Sequence, residues 1–226
     1  MDEMEIIARI RTDFPKKFGL PRQSGLNAGL KGVIVFEPKY RDPNALRGIE
    51  EYSHLWLIWK FSEAVREGWS PTVRPPRLGG NMAVGVFATR SPFRPNPIGL
   101  SCVRLDGVEA GTPQGTVLHV SGIDQMDGTP IYDIKPYLPY ADCHPDAVGG
   151  FADRVKDYAL EVVFPESLLS RVPEDKRDAL IEALREDPRP GYRREDGRPF
   201  GVAFANLNVR FTVEGRVLTV REVEGE

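Results

Sequence analysis

Residues 71–104 read PTVRPPRLGGNMAVGVFATRSPFRPNPIGLSCVR, with five arginines, no lysine and no acidic residue in 34 positions. Proline frames four of the arginines, in Arg74-Pro75-Pro76-Arg77, Arg90-Ser91-Pro92 and Phe93-Arg94-Pro95. Because proline fixes φ, a loop built this way loses less entropy when it is held in one shape. The planar guanidinium pairs a phosphate or carboxylate through two parallel bonds. A merely solvated basic face would intersperse Glu and Lys. The segment therefore reads as an anion-binding surface, for the acid group of a ligand or for an RNA backbone. Residues 124–140 (DQMDGTPIYDIKPYLPY) are its acidic counterpart, with Asp124, Asp127 and Asp133 around an Asp-Gly turn. Taken alone, that pattern is ordinary hairpin and turn chemistry. Three carboxylates beside an extended aromatic and proline stretch would also suit a cationic ligand.

Other chemistries lack their residues. No GxGxxG or GxxxxGK[ST] occurs, and Gly25, Gly29 and Gly32 have the wrong spacing for either. Ser91 lies in Arg-Ser-Pro and not on a nucleophile elbow. His54 opens an apolar run and reads as a core or supporting histidine, not a ligand. Cys102 and Cys143 stand alone, which excludes a disulfide scaffold and zinc-finger spacing; no metal is expected, and a reducing compartment is. The start MDEMEIIARI is acidic and too short for a signal segment, and no apolar run approaches the ~18 residues of a membrane span. A cytoplasmic protein without a membrane partner is expected.

The elements that must position these residues are mostly strands. The 226-residue chain holds 22 Gly and 20 Pro with no repeat period, interleaved with apolar runs that bring hydrophobic content to 41%. That composition favours a turn-rich β fold with a sizeable core. Strands are expected at Met4–Ile10, Gly32–Phe36, His54–Phe61, Met82–Thr89, Ile98–Leu105 and Thr116–Gly122. His54–Phe61 is apolar enough to be buried on both faces, whereas Ser101–Val108 alternates like a half-buried strand. Pro43–Tyr52 carries a helical hint. So many short strands without long amphipathic helices predict a barrel or a sandwich.

After about Pro145 the texture changes. Pro173–Glu186 predicts a helix with Leu180, Ala183 and Leu184 on one face. Strand-like runs follow at Val202–Phe211 and Arg216–Val223. The expected division is therefore 1–142, mainly β, and 143–226, a small α+β domain. Charge is also segregated along the chain. The formal total is −3, but residues 1–104 carry +6 and residues 105–165 carry −7, so the total does not exclude an RNA partner.

At this point the motifs carry a resemblance. Thr89–Gly99 (TRSPFRPNPIG), Pro71–Gly80 (PTVRPPRLGG), Asp127–Pro139 (DGTPIYDIKPYLP) and Asp187–Tyr192 (DPRPGY) together resemble the TrmO family of bacterial tRNA methyltransferases. Pro21-Arg22-Gln23 and Tyr52-Ser53-His54-Leu55-Trp56 fit the same pattern in the same order, and the likeness runs from about residue 5 to 223. The resemblance implies methyl transfer from S-adenosylmethionine to N6 of threonylcarbamoyladenosine at tRNA position 37. It also implies an N-terminal β-barrel that binds the cofactor outside the Rossmann class, a small C-terminal domain, and a homodimer. Carried onto this chain, the family's cofactor contacts fall on Arg22, Gln23, Ser24, Ser62, Glu63, Arg90, Leu100, Asp124, Gln125, Met126 and Asp127. The variable Gln125 and Met126 are expected to act through backbone or shape.

The chemistry of such a site agrees with the residues. S-Adenosylmethionine carries a sulfonium and an amino-acid tail, which call for carboxylates and an arginine; Asp124, Asp127 and Arg90 supply both. The acceptor N6 adjoins a carbonyl carbon and is a poor nucleophile, so a base or charge stabilisation is needed. Asp127 and Asp133 are the candidate catalytic residues. Arg74, Arg77, Arg94, Arg189, Tyr192, Arg193 and Arg194 are the candidates for tRNA, where phosphates pair with arginine and splayed bases stack on rings such as Phe93. Some of these arginines could instead brace loops or a dimer interface. A non-catalytic barrel that binds the cofactor or RNA, and a methyltransferase of this fold with another substrate, are the alternatives.

Overall fold

The computed structural model describes residues 4–63, 68–75, 82–154, 156–189 and 197–225. They form two compact units, Met1–Val65 with Asn96–Leu138, and Arg66–Pro95 with Pro139–Glu226.

The first unit is a closed six-stranded barrel. Its strands are β1 (Ala8–Thr12), β2 (Lys31–Phe36), β3 (His54–Lys60), β6 (Ile98–Thr112), β7 (Gly115–Ser121) and β8 (Pro130–Pro136), in the order β1-β2-β7-β6-β3-β8. Every neighbouring pair is antiparallel. Alternation decides which side chains face inward. In β3, Leu55, Leu57 and Trp59 are buried while Trp56 and Ile58 are only half-buried, so this strand is not buried on both faces as its composition suggested. Ile10, Ile34, Val103, Leu118 and Ile131 complete the interior. The β6 strand pairs with β3 and then with β7, and its register shifts at Leu105/Gly107 and Glu109/Thr112 let one long strand curve around the barrel.

The sequence expectations hold for the barrel's centre and fail at its irregular parts. Pro43–Tyr52 is two 3-10 turns, Pro43–Leu46 and Ile49–Glu51, separated by Gly48 at φ +84°. Within Met82–Thr89 only Val84–Gly85 (β5) is strand, paired with Thr72–Val73 (β4), and Val86–Ala88 is a 3-10 turn. The β8 strand, bounded by Pro130 and Pro136, lies in the stretch whose aspartates suggested turns.

In the second unit, β10 (Phe200–Phe204), β11 (Leu207–Glu214), β12 (Val217–Gly225) and β9 (Glu161–Val163) form a sheet in the order β10-β11-β12-β9, with β9 parallel to β12. The run Val202–Phe211 is split by a two-residue turn at Ala205 and Asn206, whose φ angles are 51° and 61°. Two short helices, α1 (Pro139–Asp142) and α2 (Glu166–Leu169), precede α3 (Arg177–Arg185), which buries Ala179, Leu180, Ala183 and Leu184 as its spacing predicts.

Candidate functional site

Three barrel-unit segments that are far apart in sequence are tied together by hydrogen bonds: 22–25, 98–102 and 122–129. The tie begins with an open strand edge. Leu105 N–H donates to Ser53 O and Phe61 N–H to Pro97 O, so the odd-numbered residues of β6 face β3. The even-numbered residues then point their N–H and C=O away from it. Pairing with β7 starts only at Arg104↔Ser121, so the main-chain groups of Leu100 and Cys102 face an edge that β7 leaves open. Ser24 covers part of that edge, its Oγ accepting from Cys102 N–H at 3.0 Å. Gly25 N–H donates to Gly122 O at 2.8 Å and Gly122 N–H to Leu30 O at 2.9 Å, which fixes the 22–30 loop on the end of β7. Gly122 sits at φ +76°, which a side-chain residue adopts only with strain.

Beside this edge runs a buried line of polar groups. The Trp59 indole Nε1–H donates to Ser101 Oγ at 2.9 Å, and Ser101 Oγ donates to Asp124 Oδ1 at 2.6 Å. Ser101 is fully buried and Trp59 nearly so, while Asp124 is half-buried. Asp124 N–H donates to Gln125 Oε1 at 3.2 Å, and Gln125 is itself buried. Its Nε2 is a buried side-chain polar atom with no hydrogen-bond partner, the one such atom found among the described residues. An unmet buried donor of this kind calls for a partner.

Asp127 faces a different way. Its Oδ1 accepts from Thr12 N–H at 3.1 Å and its Oδ2 pairs with Arg11 Nη1 at 3.4 Å, while Asp127 N–H donates to Phe14 O at 2.8 Å. Thr12 Oγ1 adds a bond to Gln125 O at 3.2 Å. The Asp-Gly turn is thus stitched to the end of β1. Asp133 stands on β8 opposite Ile58, next to a register shift, where its Oδ1 accepts from Ile134 N–H and its Oδ2 pairs with Lys135 at 2.8 Å. Both candidate bases are engaged by a local cation and a backbone N–H.

The remaining expected cofactor residues are less tightly drawn in. Arg22 and Gln23 are half-buried, with Gln23 Nε2 donating to Arg22 O, and Met126 is half-buried. Leu100 is 55% exposed. Ser62 and Glu63 are exposed just after β3. Arg90 is exposed and belongs to the other unit, in its 66–95 stretch. His54 is exposed rather than in the core, bonded to Ser53 Oγ and edge-on to Tyr137.

Of the arginines assigned to tRNA, Arg74 is exposed, whereas Arg94 is half-buried and donates to Thr89 O at 3.1 Å, bracing its own loop. Arg77, Tyr192, Arg193 and Arg194 lie outside the described residues. Arg189 requires a correction. Its side chain is 3% exposed and locked onto Asp187 through Nε at 2.8 Å and Nη2 at 3.1 Å, with Tyr158 Oη donating to the same carboxylate at 2.9 Å. Its bond to Asp187 raises the guanidinium pKa above the ordinary arginine value, against the opposing effect of burial. That arginine serves the second unit's core, not a surface.

Sequence reasoning missed several residues. Ser101 and Trp59 are the buried partners of Asp124, and the only signal for them is the inward series Gly99, Ser101, Val103, which puts small and polar groups where apolar ones are usual. Trp69 and Phe87 are 55% and 72% exposed, with ring centroids 6.1 Å apart. Phe87 lies in a short apolar run, where an exposed aromatic is not separable from a core one, and Trp69 is an isolated ring in the polar stretch Glu67-Gly68-Trp69-Ser70.

Known proteins share this architecture. The model of the tRNA-methyltransferase O N-terminal domain matches residues 9–143 and that of the TrmO C-terminal domain matches residues 157–226. The chain is 41% identical over 219 residues to an Escherichia coli protein named tRNA (adenine(37)-N6)-methyltransferase, covering 93% of each. It is 42% identical over 173 residues to an Eikenella corrodens protein of the same name, covering 76% of this chain and 97% of that one. A crystal structure of TrmO from Pseudomonas aeruginosa superposes with a TM-score of 0.80 at 35% identity, covering 100% of this chain and 98% of that one. With both family models matched over most of its length, the chain belongs to the tRNA-methyltransferase O family.

Proposed function

We propose that this protein is an S-adenosylmethionine-dependent tRNA methyltransferase acting on N6 of threonylcarbamoyladenosine at position 37, beside the anticodon. The observation that carries the reading is the hydrogen-bonded convergence of Ser24, the open edge at Leu100 and the Asp124 carboxylate at one end of the barrel. A relative named for methylation at adenine 37 matches 93% of the chain.

The residues at this end fit the cofactor's chemistry. A half-buried carboxylate at Asp124 suits a cation, the outward N–H and C=O of Leu100 suit the edge of an adenine ring, and the unmet Gln125 amide offers a donor. Arg22, Gln23, Met126, Ser62 and Glu63 complete the proposed contacts of this unit; Arg90, in the other unit, is a proposed carboxylate partner on the family resemblance alone. The cofactor supplies an electrophilic methyl group on sulfur. Asp127 acts in this reading as an anchor that fixes the 124–127 loop on β1, because its oxygens already hold Thr12 N–H and Arg11. Removal of the N6 proton by Asp127 or Asp133 would require exchanging those partners or Lys135.

For the tRNA, exposed Arg74 supplies a phosphate partner, and exposed Trp69 and Phe87 supply faces on which unpaired bases stack. Arg77, Tyr192, Arg193 and Arg194, outside the described residues, are further proposed tRNA contacts on sequence grounds, and Arg94 keeps its loop in shape. The proposed homodimer rests on the family resemblance, and the proposed cytosolic setting on the two lone cysteines, Cys102 and Cys143. The test is incubation with methyl-labelled S-adenosylmethionine and tRNA prepared with and without the threonylcarbamoyl group. Label enters the modified tRNA alone; equal entry into unmodified tRNA would remove the proposed substrate.

A further inference from the structure

We propose that Ser101 is a positioning residue of the cofactor site: backed by Trp59, it holds the Asp124 carboxylate in one orientation. The inference rests on the reading that Asp124 faces the cofactor's cation. An indole N–H can only donate, so the Trp59–Ser101 bond of 2.9 Å has one possible polarity. The serine's single proton is then left for Asp124 Oδ1, at 2.6 Å, the length of a charge-assisted hydroxyl–carboxylate bond. An oxygen that accepts this proton is not itself protonated. The direction Trp59 to Ser101 to Asp124 therefore fixes Oδ1 as an acceptor and turns the other carboxylate oxygen, Oδ2, toward the half-exposed end of the line.

The barrel commits its interior to this arrangement. Ser101 is 0% exposed, at an inward position between Gly99 and Val103. Gly99, directly opposite Trp59, makes room for the indole, since a Cβ there would lie 2.2 Å from ring atom Cε2. A polar line in a small barrel costs desolvation that an apolar filling would avoid. What the line secures is the placement of Asp124, whose backbone N–H is held from the other side by Gln125 Oε1.

A double-mutant cycle on the full chain tests this, with the dissociation constant for S-adenosylmethionine measured by calorimetry. Ser101→Ala weakens binding about tenfold, Asp124→Asn weakens it further, and the double variant binds like Asp124→Asn alone. Trp59→Phe keeps the ring, removes only the N–H, and gives a smaller loss that also vanishes in the Asp124→Asn background; it serves if Ser101→Ala fails to fold. Multiplying losses in the double variants would overturn the proposal, because that is what a general packing role produces. Wild-type affinity in Ser101→Ala with weakened Asp124→Asn would overturn the positioning role alone. Wild-type affinity in Asp124→Asn would overturn the underlying reading of the site and the positioning role with it.

Discussion

A carboxylate's surroundings decide what it can do, and the three aspartates near the Asp-Gly turn differ sharply in theirs. Asp124 ends a buried line of donors, Asp127 ties a loop to β1, and Asp133 is bound up with its own strand's Lys135. Asp133→Asn is expected to keep methyl transfer and cofactor affinity within a few-fold of wild type in steady-state assays. A fall of ~100-fold in kcat with unchanged cofactor affinity would instead make it the base. Gly99→Ala forces a methyl group to within 2.2 Å of the Trp59 ring. The expected destabilisation is about 1–3 kcal/mol by urea unfolding, together with weaker cofactor binding as the indole moves off Ser101. Arg189→Ala leaves the buried Asp187 carboxylate without its cation and should cost about 3–5 kcal/mol in the second unit. The Arg189 cation itself does not titrate in the physiological range. Its pKa is raised in the folded chain, so its contribution is whole below the ordinary arginine value and is lost only as pH rises through the folded one.

At the scale of elements, the site depends on loops being pinned to strand edges. Ser24→Ala removes the acceptor for Cys102 N–H and frees the 22–25 loop from β6. Cofactor affinity should fall several-fold in titration calorimetry while unfolding free energy changes by roughly 1 kcal/mol or less. Most barrel strands were legible in the sequence: β2, β3, β7 and the first half of β6 lie where short apolar runs between turn signals put them, although the continuous apolar run of β3 hid its alternating burial. The misses have local causes. The β8 strand is bracketed by prolines and carries Asp133 at a register shift, so its composition imitates a turn. The Ala205-Asn206 turn lacks the glycine that usually announces a two-residue hairpin. The helical spacing of Pro43–Tyr52 is interrupted by Gly48 in the left-handed region.

At the scale of the whole molecule, the proposed function gives the segregated charge a use, with arginine-rich loops for an RNA backbone and aspartates for a cationic cofactor. Arg74→Ala should lower the slope of log affinity against log salt by about one and leave cofactor binding intact. Trp69→Ala with Phe87→Ala should weaken tRNA binding by at least tenfold with little change in that slope, as measured by filter binding. The motifs named the right family, because a specific string such as TRSPFRPNPIG survives without knowledge of the fold. They could not give the polarity of a buried hydrogen-bond line, which exists only once β3, β6 and the 124–127 loop meet. Nor could they separate Arg189, buried against Asp187, from arginines at the surface. Mass spectrometry of tRNA nucleosides after incubation with the protein and labelled S-adenosylmethionine tests the function most directly. One added methyl group on the N6 nitrogen of threonylcarbamoyladenosine at position 37 is the expected result; a nucleoside profile without it, or with the methyl on another base, would contradict it.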